Sequence, residues 1–394
     1  MKVLVTAISF SPKISGIQRH AFNLVRCLLA HPEVSAVHLV IAPWQQAMVK
    51  SAGLGHDIRL HIEVAQLEAG SISRNLWHYR ALPELANRLQ PDLIHLTYPV
   101  PINAVALRCA VVLTLHDLYP YDIPENFGFP KVWVSRAILR QCLRNVDAIA
   151  CVSNFTLSRL QDLNKQLARK ASVVPNSVER DPRPEDMAAP VECAGHPFVL
   201  CVAQHRRNKN ISLALRAFHA LLRSGERPLS TRFLLVGNQG PETSAIRGLA
   251  ASLGITKNIV ELTGISDAQL QWCYRNCLLL VAPSAIEGFG LPVAEALLAG
   301  CPVVCSDIPA FREVGNSNCL YFSLGARQVD LLTDAMSKAL RMPVPKATSL
   351  PKFSTQVIGH QYLNLYRAQF PTEQIDVGIT HVPYEISTER PFPL

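Results

Sequence analysis

The sequence predicts two α/β domains, each built on a doubly wound parallel sheet, and three observations lead to this fold class. Apolar runs the length of one strand recur along the chain, with helical or loop sequence between them. The 394 residues are long for one hydrophobic core and suit two domains of about two hundred residues each. Finally, the proline-rich, charged stretch at 178–196 has too few large apolar residues to build a core.

Composition narrows the class of protein further. Hydrophobic residues make up 49% of the chain and charged residues 17%, so both cores can be filled. The eleven cysteines lack paired spacing, which favours buried thiols in a reducing compartment and argues against a structural zinc. No apolar run approaches the roughly 18–20 residues that span a bilayer. We therefore expect a cytoplasmic protein, at most peripheral at the inner face of the membrane.

The first half of the chain supplies the first series of strands. The run MKVLVTAISF is as short as a strand and lacks a small-residue cleavage site, so it is a first strand rather than a signal peptide. A helix follows it after Gly16, and each later run is again short and apolar. The predicted strands of this domain are Lys2–Ile8, Val37–Ala42, Leu93–Leu96, Ala110–Leu115 and Ala148–Val152.

Charge is unevenly distributed between the two halves. Residues 1–180 hold 19 Lys and Arg against 12 Asp and Glu, whereas 181–394 hold 19 against 18. Within the basic half, the helix predicted at 131–144 spaces Arg136, Arg140 and Arg144 four residues apart and carries Trp133. Two interpretations stay open: this surface contacts anionic lipid headgroups or a phosphorylated acceptor, or it is an ordinary solvated face.

The second half repeats the alternation of strands and helices. Helices are predicted at 211–222, 327–341 and 355–369, and the tail at 371–394 shows no periodicity. The predicted strands of this domain are Phe198–Ala203, Phe233–Val236, Val260–Thr263, 278–282 and Val303–Ser306.

The most informative stretch is LLLVAPSAIEGFGLPVAEALLAG, from Leu278 to Gly300. An apolar run, predicted to be a strand buried on both faces, leads into a loop with two glycines. Pro292 follows at a position that the first turn of a helix tolerates. Glycines let the backbone approach a ligand, and the start of a helix presents unpaired N–H groups together with the positive end of the helix dipole. The carboxylates of Glu287 and Glu295 frame this loop. The pattern predicts a site for an anionic ligand.

The segment EGFGLPVAE resembles the donor-binding signature of the retaining glycosyltransferases of family 4, and the similarity continues into AGCPVVCSDIPAFREVG. The resemblance implies the GT-B fold, in which two Rossmann-like domains face each other across a cleft. It assigns 1–177 to an acceptor-side domain, 178–196 to a linker and 197–354 to a nucleotide-sugar-binding domain. A helix at 355–370 would cross back to the first domain, and 371–394 would form an extended tail.

The same resemblance implies roles for single residues of the second domain. Glu295 would bind the ribose hydroxyls and Glu287 the sugar, while Gly264 and Ile265 of LTGISD would lie against the base through backbone groups. The loop QHRRNKN would meet the diphosphate through Lys209, but Asn208 stands where the family usually has an arginine. Either Arg206 or Arg207 would then supply the missing charge. The amides that would hold the sugar and diphosphate belong to Gly288, Phe289, Gly290 and Leu291.

Two positions of the first domain also match the family. Gly16 corresponds to a glycine close to the donor phosphates, and His116 of LHDLYPY corresponds to a histidine near the transferred sugar. Position alone favours a structural pair, in which Asp117 holds the tautomer of His116, and the EGFGLPVAE match favours the functional role instead. Ser153, between a strand and a helix, is predicted to be a helix N-cap.

These observations predict a retaining glycosyltransferase that moves a hexose of the mannose or glucose type from a nucleotide-diphosphate sugar to a glycan or polyprenyl-linked acceptor. The resemblance implies no metal and no cofactor, and no nucleic-acid partner is expected. Two alternatives stay open: a sugar-nucleotide 2-epimerase of the same architecture, and a nucleotide-sugar-binding protein without activity. A hydride-transfer dehydrogenase is disfavoured because no GxGxxG follows either first strand.

Overall fold

The computed structural model describes residues 1–9, 16–54, 57–179, 189–193, 195–225 and 227–370. The centre of the predicted linker, 180–188 with residue 194, and the predicted tail at 371–394 lie outside the described residues. Within them, thirteen strands form two parallel sheets. The strands are β1 (Lys2–Thr6), β2 (Ala36–Ile41), β3 (Leu60–Val64), β4 (Leu93–Leu96), β5 (Ala110–Leu115), β6 (Ala148–Cys151), β7 (Ala171–Val173), β8 (Phe198–Val202), β9 (Arg232–Val236), β10 (Ile259–Leu262), β11 (Leu279–Ala282), β12 (Val303–Ser306) and β13 (Leu320–Phe322).

Crossover connections join successive strands, as parallel pairing requires, and most contain α-helices, whereas β4 and β5 are joined by a segment with one 3-10 turn, Ala104–Ala106. The α-helices are α1 (Gly16–Leu29), α2 (Gln46–Ser51), α3 (Ser71–Leu89), α4 (Tyr119–Asp122), α5 (Lys131–Asn145), α6 (Asn154–Leu163), α7 (Lys165–Ala168), α8 (Ile211–Arg223), α9 (Thr243–Ser252), α10 (Asp267–Asn276), α11 (Leu291–Ala299), α12 (Pro309–Gly315), α13 (Gln328–Arg341) and α14 (Thr355–Arg367). None of these helices combines the length and apolar composition that a bilayer-spanning segment needs.

The strand order confirms the predicted doubly wound class in both halves of the chain. The first sheet has seven strands in the order β3-β2-β1-β4-β5-β6-β7, and the second has six in the order β10-β9-β8-β11-β12-β13. In each sheet the order reverses beside the first strand of that half, at β1 and at β8. Ligands of such sheets bind at this reversal, outside the carboxyl ends of the strands.

Each sheet is covered by helices on both faces, so its central strands are buried on both sides. In β1, Val3 and Val5 join the core beneath α1, whereas Leu4 joins the core shared with α3 and α5. This alternation follows from the two-residue period of a strand. The continuous apolar runs of the sequence are therefore interior strands.

The last helix returns to the first domain. Ile358, Tyr362 and Tyr366 of α14 are buried in the core that β1 and α1 share. A Cβ at Gly359 would lie 2.5 Å from the carbonyl oxygen of Cys27, so glycine lets α14 approach α1 closely. The N–H of Val178 donates to the carbonyl oxygen of Phe353, which ties the start of the predicted linker to the segment preceding α14.

Candidate functional site

The two domains meet through the loop between β11 and α11, at the carboxyl ends of their strands. Gly290 ends this loop with φ +103°, where glycine is favoured, and its missing side chain leaves room for the ring of Phe311. Leu291 is the first residue of α11 and Pro292 the second, while Gly300 ends the helix in the left-handed region. At the start of α11, Pro292 has no N–H, and the N–H groups of Val293 and Ala294 donate to the carbonyl oxygen of Gly290. The backbone N–H groups that can meet a ligand at this helix N-terminus are therefore those of the loop up to Leu291.

Gly288 lies at a close contact between the domains. A Cβ at this position would lie 1.8 Å from the carbonyl oxygen of His116, so only glycine fits. Across the same contact, Ser153 Oγ donates to the carbonyl oxygen of Gly288 at 2.6 Å. Ser153 Oγ also accepts a hydrogen bond from the N–H of Thr156, which confirms that Ser153 is the predicted N-cap of α6. The sequence did not indicate its bond to Gly288 in the other domain.

Glu287 is held by groups from both domains. Its Oε1 pairs with Lys209 Nζ at 2.6 Å and accepts from Ser284 Oγ at 2.7 Å, and its Oε2 accepts from the hydroxyl of Tyr119 at 3.3 Å. The ion pair is mostly buried. Burial and the nearby carboxylates of Glu287 and Asp117 raise the pKa of Tyr119 well above its ordinary value, so the phenol stays protonated and can donate.

The loop QHRRNKN lies beside Glu287, and Asn208 is buried within it. Asn208 accepts from Asn126 Nδ2 of the first domain at 3.1 Å, and its backbone carbonyl accepts from the N–H of Ala285. The residue that departs from the family pattern therefore joins the two domains. Arg206 and Arg207 are both exposed, and the positive charge of Arg206 partly opposes the rise in pKa that burial causes at Tyr119 and Asp117.

Glu295 is buried on α11, and both of its carboxylate oxygens have partners. Arg19 Nη1 of the first domain donates to Oε1 at 2.8 Å, and the hydroxyl of Tyr274 donates to Oε2 at 2.8 Å. The second guanidinium nitrogen of Arg19 pairs with Asp267 at 2.5 Å. These two carboxylates raise the pKa of Arg19, so this cation remains charged in the cleft.

His116 follows β5 and is packed between both domains. Its Nε2–H donates to the carbonyl oxygen of Thr97 at 2.9 Å, which leaves Nδ1 as the acceptor of a neutral ring. Burial lowers the pKa of His116 to about 4, so the ring is uncharged at neutral pH. The edge of His20 packs against it at 4.6 Å between ring centroids.

The remaining predicted site residues can offer a ligand their backbone groups rather than their side chains. Gly16 begins α1 with open space where a Cβ would point, and Arg19 lies one turn further along the helix. Gly264, with φ +69°, follows β10, and Ile265 packs against the core, so each can offer backbone groups. The ring of Phe289 is buried against Phe353, which likewise leaves only its backbone for a ligand.

A small recess that opens to solvent lies at the carboxyl ends of β8 and β11, where the predicted donor loop and Lys209 meet. Its lining includes Ala203, Lys209, Ser284, Glu287 and Pro292. The structure thus brings Lys209, Glu287 and the start of α11 together around one space, as the sequence predicts for an anionic ligand. Within the described part of the chain, no group of three or more His, Cys, Asp and Glu side chains is arranged to hold a metal ion.

Sequence reasoning missed Arg19, Tyr119 and Tyr274, which contact the two framing carboxylates. Arg19 and Tyr119 act from the other domain, so no local spacing relates them to Glu287 or Glu295. Tyr274 lies on α10 and reads as an ordinary apolar position. One signal was available for Arg19: it follows Gly16 by one helical turn, which places it at the same end of the first sheet.

Comparison with known proteins agrees with this geometry. Two family models match in succession: Glycosyltransferase Family 4 over residues 14–181, and Glycosyl transferases group 1 over residues 182–355. The chain is 26% identical over 349 residues to O-antigen chain mannosyltransferase B of Escherichia coli, covering 80% of this chain and 84% of that protein. It is 24% identical over 355 residues to a GDP-mannose-dependent alpha-(1-6)-phosphatidylinositol monomannoside mannosyltransferase of Mycobacterium tuberculosis, covering 86% and 89%.

Solved structures show the same two-domain architecture. The Anabaena HepE structure in complex with UDP and glucose superimposes with a TM-score of 0.62 at 18% identity, covering 93% of this chain and 98% of that chain. WaaG, a glycosyltransferase involved in lipopolysaccharide biosynthesis, gives a TM-score of 0.64 at 16% identity, covering 93% and 96%. These likenesses confirm the predicted GT-B fold. With the two family models, they show that this chain is an enzyme of the group 1, family 4 glycosyltransferases.

Proposed function

We propose that this glycosyltransferase transfers a hexose, of the mannose or glucose type, from a nucleotide-diphosphate sugar to a glycan or lipid-linked acceptor with retention of anomeric configuration. The observation that carries the proposal is the Lys209–Glu287 ion pair beside the N-terminus of α11, opposite His116. The names of the relatives, which include O-antigen chain mannosyltransferases, favour mannose and cell-surface polysaccharide synthesis.

The donor would lie across the ends of β8 and β11. Lys209, together with Arg206 or Arg207, and the N–H groups after Gly288 would stabilise the negative charge that develops on the departing diphosphate. Glu295 would bind the ribose diol and Glu287 the hexose, while the backbone of Gly264 and Ile265 would meet the base. Gly16 would lie near the donor phosphates.

The acceptor side would be supplied by the first domain. His116, neutral and oriented by Thr97, would accept a hydrogen bond from the hexose through Nδ1. The contact between Gly288 and His116 would exclude water, which favours transfer over hydrolysis. We expect this chemistry to need neither a metal ion nor a cofactor.

A second part of the proposal concerns the membrane. Phe129, Trp133 and Val134 are 84%, 61% and 57% exposed at the start of α5, and Arg140 and Arg144 share the helical face of Trp133. We propose that this α5 surface binds anionic lipids peripherally, as exposed aromatic and basic side chains on one helix do. The expected location is the inner face of the membrane.

Melting temperatures with GDP, UDP, ADP and their common sugars test the donor site, because a ligand that binds only the folded state stabilises it. We expect one nucleotide family to raise the melting temperature, and Glu295→Ala to lose most of that shift. Asp330→Ala, on the exposed side of α13, is the control and should keep it. No shift with any ligand contradicts the proposal.

Product analysis then separates the alternatives. A glycosylated acceptor with retained configuration supports the proposal, an epimerised nucleotide sugar identifies an epimerase, and binding without turnover identifies a non-catalytic protein.

For the α5 surface, sedimentation with phosphatidylglycerol vesicles should capture the protein, and Trp133→Ala should weaken capture. Leu229→Ala, an exposed leucine of the second domain, should not. Equal capture by phosphatidylcholine vesicles would refute the electrostatic part.

A further inference from the structure

The first turn of α6 is capped by a carboxylate from the other domain. Glu313 of α12 accepts hydrogen bonds from the backbone N–H groups of Asn154 and Phe155, at 2.9 and 2.8 Å. The side-chain amide of Asn154 donates to the same carboxylate at 3.0 Å. The N-cap Ser153 accepts from the N–H of Thr156 in the same turn. The N–H groups that begin this helix therefore find their acceptors in both domains.

Charge favours this contact between the domains. A carboxylate at a helix N-terminus meets the positive end of the helix dipole, and its hydrogen bonds are charge-assisted. Glu313 is half-buried there. Because the carboxylate and the helix belong to different domains, these bonds form only when the domains lie as observed, and water replaces each partner when the domains separate. The contact therefore stabilises the closed arrangement rather than either domain by itself.

The same short helix, α12, also contacts the donor loop. Phe311, two residues before Glu313, is buried and lines the recess at the ends of β8 and β11. Its ring fills the space beside Gly290, where a Cβ would lie 2.8 Å from it. Since α12 comprises only Pro309–Gly315, the side chain that supports the donor loop and the side chain that caps α6 are close neighbours on one helix.

The cap lies beside the place where the chain passes between the domains. Lys352 Nζ donates to the carbonyl oxygen of Glu313 at 2.8 Å. The next residue, Phe353, accepts through its carbonyl oxygen from the N–H of Val178, at the start of the linker. A contact near a hinge moves little as two domains close, so it governs the angle of closure. The position of Glu313 therefore suits a pivot.

We propose that Glu313 is a positioning residue: by capping α6 of the opposite domain, it fixes the angle at which the first domain closes over the donor loop. The charged donor ligands Lys209 and Glu295 belong to the second domain, so binding of the nucleotide does not depend on the cap. Correct closure brings His116 to the donor loop and excludes water. The role in closure rests on the contacts alone, whereas the effect on transfer rests also on the proposed function.

A cleft that closes at the wrong angle changes which nucleophile reacts. In hydrolysis, the oxygen of water bonds to the anomeric carbon, the bond from that carbon to the diphosphate oxygen breaks, and the water proton goes to the diphosphate. The products are the free hexose and the nucleoside diphosphate. Transfer needs the acceptor hydroxyl held in place, whereas water enters any cleft that is loosely closed. Loss of the cap therefore favours hydrolysis over transfer.

The test uses the full chain, the one of GDP-mannose and UDP-glucose that stabilises it, and octyl α-D-mannopyranoside as the acceptor probe. We expect Glu313→Ala to lower kcat for transfer about tenfold and to raise the hydrolysed share of the donor at least about threefold, because the reacting groups are misaligned. The affinity for the nucleotide should stay within about twofold of the wild type, since the cap is not a donor ligand.

Two further variants make this result specific. Glu313→Gln keeps one acceptor oxygen for the helix, so its effects should lie between those of the wild type and Glu313→Ala, and it replaces the alanine variant if that variant unfolds at the assay temperature. Glu261→Ala is the matched control, because its partner Arg247 lies in the same domain. This control should leave both the transfer rate and the hydrolysed share unchanged.

Small-angle X-ray scattering measures closure without any turnover. The radius of gyration should be larger for Glu313→Ala than for the wild type, and Glu261→Ala should match the wild type. The inference is overturned if Glu313→Ala keeps the wild-type radius, if it keeps the wild-type share of hydrolysis, or if Glu261→Ala changes both as much. A wild type without transfer from any nucleotide sugar would instead overturn the proposed function, and the radii of the ligand-free proteins would then decide the inference.

Discussion

Arg19 of α1 donates a hydrogen bond of 2.8 Å to Glu295 of α11, which makes the predicted ribose ligand part of a bridge between the two domains. The side chains are 25% and 10% exposed, so this pair lies between a surface ion pair and a buried one. Without Arg19, the side-chain partner that remains to Glu295 is the uncharged hydroxyl of Tyr274. Closure of the domains and neutralisation of Glu295 are therefore linked.

A double-mutant cycle measures this link. We expect Arg19→Ala, Glu295→Gln and the double variant to reveal a coupling energy of about 0.5–3 kcal/mol in urea unfolding, because contacting charges are not additive. The control cycle uses Arg247 and Glu261, a surface pair within the second domain, where solvent screening makes the expected coupling weaker. Equal coupling energies in both cycles would show that the Arg19–Glu295 pair contributes no more to stability than an ordinary surface ion pair.

The contact between Gly288 and His116 predicts a separate effect on activity. Gly288→Ala places a methyl group 1.8 Å from a backbone oxygen of the other domain, so the cleft cannot close as observed. We expect sugar transfer to fall at least about 100-fold, since misplacing reacting groups by about 1 Å can cost that much.

The control for this substitution is another glycine to alanine change. Gly248 lies within α9 with open space around its missing side chain, so Gly248→Ala should keep activity and stabilise the helix by up to about 1 kcal/mol. The interpretation of Gly288 would be wrong if Gly288→Ala retained transfer, or if it lost nucleotide binding and folding together.

Much of the fold could be predicted from the sequence, because interior strands of a parallel sheet are continuous apolar runs. The strands that were missed, β3, β7 and β13, all lie at sheet edges. In β3, His61 and Glu63 interrupt the apolar pattern, and β7 and β13 have three residues each. An edge strand pairs on one side and is less buried, so its sequence carries a weaker signal.

The site was predictable only where it is local. Glu287, the glycines and Glu295 belong to one strand, loop and helix, and their spacing indicates an anion site. By contrast, Arg19 and Tyr119 reach that site across the cleft, from positions more than 150 residues away. Asn208 stands where the family usually has an arginine, and nothing in the sequence indicated that its side chain joins the two domains by accepting a hydrogen bond from Asn126.

The cations of the loop QHRRNKN should differ in their effect on turnover. Lys209 pairs with Glu287 at 2.6 Å, and the charge of Arg206 acts on Tyr119 and Asp117 at the cleft. We expect Lys209→Met to lower kcat by about 100- to 1,000-fold, in the range found when one donor to a developing oxyanion is removed. Arg206→Ala should lower kcat/KM for the donor more than Arg207→Ala does. The reverse order would assign the diphosphate to Arg207.

A chain of buried neutral histidines makes stability depend on pH. One set of protons satisfies every bond: Tyr366 donates to His95 Nδ1, His95 Nε2–H to Thr114, Thr114 to His20 Nε2, and His20 Nδ1–H to Asn176. A second proton on either ring would turn an acceptor into a donor and break the chain. Burial lowers the pKa of His95 to about 3 and that of His20 well below its ordinary value, with the neighbouring His116 adding to both shifts.

Because the unfolded histidines titrate near 6.5 and the folded ones far below, the unfolded state binds more protons as the pH falls. The stability that depends on the neutral rings is complete above about pH 6.5 and decreases below it. For the two rings, the loss between pH 6.5 and 5 should be about 3 kcal/mol, measured by urea unfolding. His95→Gln can accept from Tyr366 and donate to Thr114 without titrating, so it should remove about half of this pH dependence. An unaltered slope in His95→Gln would show that the acid sensitivity arises elsewhere.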